Sequence, residues 1–180
     1  MDYVETTVKS DLVYEGRILK VKSDTVKLYN GALAGREVVE HNGGVGIVPV
    51  DDDGNVYLVR QFRYPAGESL IAIPAGKLEC GDDPFECAVR ELSEETGFTA
   101  EEYTDLGRFY PSPGYCQEVL YIYLARGLKP GKMHLDENEY LDVLKYPLDE
   151  AVQMAMDNRL CDAKTIIGIL KAKQIINGKS

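Results

Sequence analysis

The stretch 83-DPFECAVRELSEETG-97 constrains the fold most, because it carries the start, body and stop of a single helix. Asp83 suits the N-cap, Pro84 the first helical position, and Glu86 the third, where its carboxylate can reach back to the cap amide. Gly97 supplies the left-handed residue that ends the helix. At about 100° per residue, Phe85, Ala88, Val89, Leu92 and Thr96 fall on one side, the face expected to be buried. Glu91, Glu94 and Glu95 lie beside that face, with Cβ atoms roughly 5–6 Å apart for the i,i+4 pair. They repel one another, and the negative end of the helix dipole disfavours them further. Arg90 cannot neutralise all three, and no Lys or Arg follows at i+4. A bound divalent cation would turn this repulsion into coordination, since hard Mg²⁺ prefers carboxylate, carbonyl and water oxygens.

Around this helix the chain reads as strands and then helices. Segments 17–29, 36–41, 45–50 and 56–64 are rich in Val, Ile and Tyr, the composition of strands. Asp53-Gly54 predicts a tight hairpin joining the strand of Ile47 to that of Val59. Strands resume over 118–125 and 139–146, and helices follow over 149–158 and from Asp162 to Gly178. This order predicts an α/β sandwich, a mixed sheet packed between helices. No linker or repeat divides the chain. We read 1–41 as an N-terminal strand region and 42–180 as the main domain.

Thirty acidic against twenty basic residues give a formal charge of −10, which argues against nucleic acid and anionic membrane as partners, since both need a basic surface. The N-terminus lacks a basic region followed by an apolar core, so a cytoplasmic location is expected. Cys80, Cys87, Cys116 and Cys161 form no C-x-x-C pair, which predicts free thiols and no zinc. His41 and His134 have no nucleophile or ligand set beside them. The glycines of 43-GGVG-46 precede a strand instead of a helix and make no dinucleotide fingerprint.

The stretch 76-GKLECGDDPFECAVRELSEETGF-98 resembles the Nudix box, with Gly76, Arg90, Glu91, Leu92, Glu94, Glu95 and Gly97 in register. Six fixed identities would coincide by chance in about one placement in ten million. Asp82 stands where the family usually has Glu, and Phe98 where an aliphatic residue is common. The resemblance implies a Nudix-type α/β/α sandwich that hydrolyses a nucleoside diphosphate linked to another group. It implies Glu91 and Glu95 as principal magnesium ligands, Glu94 sharing metal or base duties, and the Ala75 carbonyl completing the ligand set; Mn²⁺ could substitute for Mg²⁺. Arg90 belongs to the catalytic helix.

Pro113, fifteen residues past Phe98, resembles the proline that marks the ADP-ribose pyrophosphatase subgroup. The segments 36-REVVEHNGGVGIVPV-50, 59-VRQFRYP-65, 136-DENEYLDV-143 and 162-DAKTIIGIL-170 are similar to subgroup motifs. That resemblance implies Arg63 as a phosphate contact, Glu68 as an orienter of the adenosine part, and Arg36 as a contact across a homodimer with exchanged N-terminal strands. Glu118 would be a substrate contact or a strand-edge charge. Glu137, in a mobile loop, would activate the water, and Glu139 would add a metal contact. Ala72 replaces an acid frequent in the subgroup. The implied reaction splits ADP-ribose into AMP and ribose 5-phosphate. Alternatives are another nucleoside diphosphate sugar such as GDP-mannose, an oxidised nucleotide, or a non-catalytic ADP-ribose sensor.

Overall fold

The computed structural model describes residues 3–178. Two compact units divide it: one runs to Gly43 and includes Tyr110–Val119, the other comprises Gly44–Phe109 and the chain from Leu120 onward. The first unit holds a three-stranded antiparallel sheet of β1 (Thr6–Glu15), β2 (Lys20–Lys27) and β3 (Leu33–Glu40) in that order. β1 is exposed along its whole length. It falls in the expected N-terminal strand region 1–41, but with neither face buried it has no apolar/polar alternation to fix its limits.

The second unit is built on a four-stranded sheet, β7 (Ala75–Lys77), β4 (Gly44–Pro49), β9 (Leu120–Pro130) and β8 (Phe98–Phe109), in which β4 and β9 run parallel and the other pairs antiparallel. The expected mixed sheet is therefore present. A second sheet joins β10 (Asp142–Pro147), β5 (Asn55–Arg63) and β6 (Glu68–Ala72). Every residue of β4 is buried, because both faces of its sheet are covered. Val45, Ile47, Tyr123 and Ala125 point to one core with Ala88 and Leu92 of helix α1 (Pro84–Thr96). Val48, Ile122 and Leu124 point the other way, to a core with Ala151 and Met154 of α2 (Leu148–Met156) and Ile169 and Ala172 of α3 (Ala163–Gly178).

One local expectation is met in part and one is corrected. Asp53 and Gly54 form a tight turn joining the strand of Ile47 to that of Val59, with Gly54 at φ 81° and its N–H donating to the Asp51 carbonyl at 3.0 Å. The hairpin is short: beyond the antiparallel Val50–Val56 bridge, β4 and β5 separate into different sheets. The capping box is also incomplete. The Asp83 side chain accepts from the Phe85 and Glu86 N–H groups at 2.9 and 3.0 Å, but among the described residues Glu86 returns no bond. The stop is as expected, with Gly97 at φ 72°.

Candidate active site

The buried stripe of α1 is Cys87, Ala88, Leu92 and Glu95. It is rotated from the face expected, and Phe85 is largely exposed, edge-on to Tyr103 and Tyr123. The rotation follows from chemistry at the other flank. Glu95, only 1 % exposed, turns into the protein and accepts the Ala75 N–H at 2.9 Å. Ala75 and Gly76 pair with Gly46 and Val45 through β7, which holds this short segment against the helix.

Glu91, with 15 % of its side chain exposed, occupies the space beside Gly76. A Cβ on Gly76 would lie 2.0 Å from Glu91 Oε1 and 2.1 Å from its Cδ, so only glycine leaves room for this carboxylate. Arg90 places Nη2 3.1 Å from Glu91 Oε1 and 3.3 Å from Cys87 Sγ, and Nε 3.9 Å from Glu94 Oε2. It thus reaches two of the three acids and leaves Glu95 to the Ala75 amide and the field of Arg63.

Burial is the main influence on both inner acids. It pushes the Glu95 carboxyl up to about 8, with Glu139 and Glu91 adding in the same direction and the Ala75 N–H and Arg63 opposing. Burial likewise raises Glu91 to about 7; Arg90 opposes, while Glu94, Glu139 and Asp136 add to the rise. Perturbed acids of this kind in contact with a glycine segment mark functional sites. The donors suit a hard divalent cation, being carboxylate oxygens whose negative charge nearby cations do not cancel. Among the described residues no three Asp, Glu, His or Cys groups converge closely enough to form a finished cage, an arrangement that mutual repulsion of carboxylates disfavours.

The remaining acids come from the connection between β9 and β10. Its start is fixed where the His134 N–H donates to the Glu94 carbonyl at 3.0 Å, satisfying one of the orphan carbonyls of the helix end. Glu139 N–H closes a turn on the Asp136 carbonyl at 2.9 Å, with Glu137 exposed at its corner. Glu139 Oε1 accepts from Gln61 Nε2 at 3.1 Å. Gln61 and Arg63, two apart on β5, face the acids together. Gln61 and Asp136 lie in the segments 59–65 and 136–143 that resemble subgroup motifs, but neither is an expected site residue: an uncharged amide has no charge pattern to single it out, and Asp136 is one of several acids in a row.

The other expected residues are placed as follows. Glu68 pairs with Arg63 at the turn end of the β5–β6 hairpin. Asp82 accepts the Glu79 N–H at 2.9 Å, closing the turn that leads into α1. Ala72 is buried opposite Val59. Arg36, Pro113 and Glu118 belong to the first unit. There Arg36 is paired with Glu5, Pro113 lies in the turn closed by Cys116 N–H on the Ser112 carbonyl at 2.9 Å, and Glu118 lies 3.6 Å from His41 Nδ1.

A helix that sets buried Glu95 and half-buried Glu91 against Ala75 and Gly76 gives oxygen donors suited to a divalent cation. The chain belongs to the NUDIX family: residues 40–166 match the NUDIX domain, and residues 5–39 match the nucleoside diphosphate sugar hydrolase N-terminal domain. It is a Nudix pyrophosphohydrolase. It is 40 % identical over 169 residues to the methanol dehydrogenase activator of Bacillus methanolicus, covering 93 % of this chain and 91 % of that one. It is 38 % identical over 167 residues to the ADP-ribose pyrophosphatase of Bacillus subtilis, covering 92 % and 90 %. The crystal structure of an ADP compounds hydrolase superposes with a TM-score of 0.86 at 25 % identity, over 98 % of this chain and 96 % of that one. No described helix is long and apolar enough to cross a membrane.

Proposed function

We propose that the protein hydrolyses ADP-ribose to AMP and ribose 5-phosphate with Mg²⁺, which Mn²⁺ can replace, in the cytoplasm. The observation that carries the reading is the pair of buried Glu95 and half-buried Glu91, held against the Ala75 N–H and Gly76. The 38 % identity to an ADP-ribose pyrophosphatase and the position of Pro113 support the choice of substrate. Glu91, Glu95 and the Ala75 carbonyl hold the cation, with Glu94 and Glu139 as further donors. A Mg²⁺ ion held there would supply charge neutralisation for a pyrophosphate and a bound water of lowered pKa. Arg90 positions Glu91 and Glu94, Arg63 contacts the phosphates, and Glu68 orients the adenosine part. Glu137, on the turn that also carries Glu139, takes the proton from the attacking water as the loop closes. Incubation with ADP-ribose and MgCl₂ is expected to release AMP and ribose 5-phosphate in equal amounts, faster than any product from GDP-mannose or an oxidised nucleotide. Absence of AMP while one of those substrates is cleaved refutes the choice of substrate.

The N-terminal strands complete a homodimer in this reading, with Arg36 reaching the partner's site across the exchange, and Pro113 and Glu118 as substrate contacts. The support is β1, which presents Val8, Leu12, Val13 and Tyr14 to water, an apolar edge that soluble proteins cover. Sedimentation at micromolar concentration is expected to give twice the 20.0 kDa chain mass; a stable monomer refutes the exchange.

A further inference from the structure

We infer that Gln61 is a positioning residue that latches the acidic β9–β10 connection to β5 through the carboxylate of Glu139. The inference rests on the proposed function only in taking Glu139 as a cation donor. Glu139 lies half-buried on this connection, and its carboxylate reaches back to β5. The Gln61 Nε2–Glu139 Oε1 bond at 3.1 Å ties the connection to the strand. Among the described residues it is the one side-chain bond that Glu139 makes, while the Glu139 N–H is used within the turn.

The orientation of the amide is dictated by its partner. An ionised carboxylate only accepts, so Gln61 must present its NH₂ group and cannot be flipped. The consequence is visible on the other side of the amide: Gln61 Oε1 is buried with no hydrogen-bond partner. Buried carbonyls without a donor are rare in folded proteins, and each calls for an explanation. Here the NH₂ group is committed to Glu139, which leaves the oxygen free to accept from a water or a substrate hydroxyl entering the site.

Met has the length of Gln and lacks the donor, so Gln61→Met separates the latch from the packing of β5. Hydrogen exchange and Mg²⁺ calorimetry, both without substrate, read the latch directly and leave the choice of substrate untouched. In Q61M the amides of 133–142 are expected to exchange about tenfold faster, and Mg²⁺ to bind 10- to 100-fold more weakly, the range for losing the support of a metal ligand. Exchange elsewhere in β5 and in the core stays at the wild-type level. The double variant Q61E/E139Q swaps amide and carboxylate, restoring a donor–acceptor pair. It is expected to recover loop protection over Q61M without recovering full Mg²⁺ affinity, because the charge has moved to β5. Wild-type loop exchange and Mg²⁺ affinity in Q61M overturn the inference, as does a swap that leaves the loop as unprotected as in Q61M.

Discussion

Replacing Glu95 with Gln lowers kcat/KM for the pyrophosphate substrate by at least about 100-fold and at the same time stabilises the cation-free protein near neutral pH. The first effect follows from removing an inner donor, since loss of mere support for a ligand already costs 10- to 100-fold. The second follows from linkage. Burial raises Glu95 from 4.5 to about 8 in the folded state. Below pH 4.5 both states hold the proton and nothing is lost. As pH rises from 4.5 towards 8 the unfolded chain ionises and the folded one does not, so the unfolded state binds fewer protons and stability falls, levelling off above 8. At pH 7 the deficit comes to about 3 kcal/mol at about 1.4 kcal/mol per unit. Gln carries no such proton and keeps an oxygen to accept the Ala75 N–H. Thermal unfolding without divalent cations should therefore show E95Q more stable than wild type at pH 7, the gap shrinking to below about 1 kcal/mol at pH 5. Adding Mg²⁺ should stabilise wild type and leave E95Q nearly unmoved. Equal stabilities at pH 7, or equal responses to Mg²⁺, would contradict the assignment.

Gly76→Ala is the second large effect. The added Cβ lies 2.0 Å from Glu91 Oε1 and 2.4 Å from its Cγ, so the whole end of that side chain must leave. The backbone of Gly76 does not have positive φ and alanine fits a strand paired with Val45, so the fold survives. We expect kcat/KM to fall about 100-fold, as for loss of an inner donor, with the melting temperature nearly unchanged. Glu91, no longer buried beside Gly76, should titrate well below the value of about 7 it has in the native protein, which NMR of its side-chain carboxyl carbon would detect. The changes G76A and E91Q should be far from additive, because both remove the same carboxylate from the same place. Activity near wild type, with Glu91 still titrating near 7, sinks the claim that Gly76 is kept for this carboxylate.

Much of this site is legible in the sequence because its residues are consecutive on one helix. Asp83, Pro84 and Gly97 set the limits of α1, and periodicity then places Glu91 and Glu95 one turn apart. The depth of Glu95 is harder to read. A helical wheel puts a carboxylate at the border of the buried face on general grounds, and only the Ala75 amide, brought in by β7, turns it inward. β7 itself spans only Ala75–Lys77, too short to show a period. β8 was overlooked for a different reason: along Phe98–Phe109 only Leu106 is fully buried, so its alternation is faint. Gln61 is visible in the sequence as one polar residue of a strand. Its pairing with Glu139 joins positions 78 residues apart, which no local pattern encodes.

The most direct test of the account is a crystal structure with Mn²⁺ and a non-hydrolysable ADP-ribose analogue, with the metal located by its anomalous signal. An ion bonded to the Glu91 and Glu95 carboxylates and the Ala75 carbonyl is expected, at about 2.1 Å, with the pyrophosphate of the analogue beside it. An ion bound elsewhere, or a pyrophosphate seated away from α1 with Glu91 and Glu95 unligated, would contradict it.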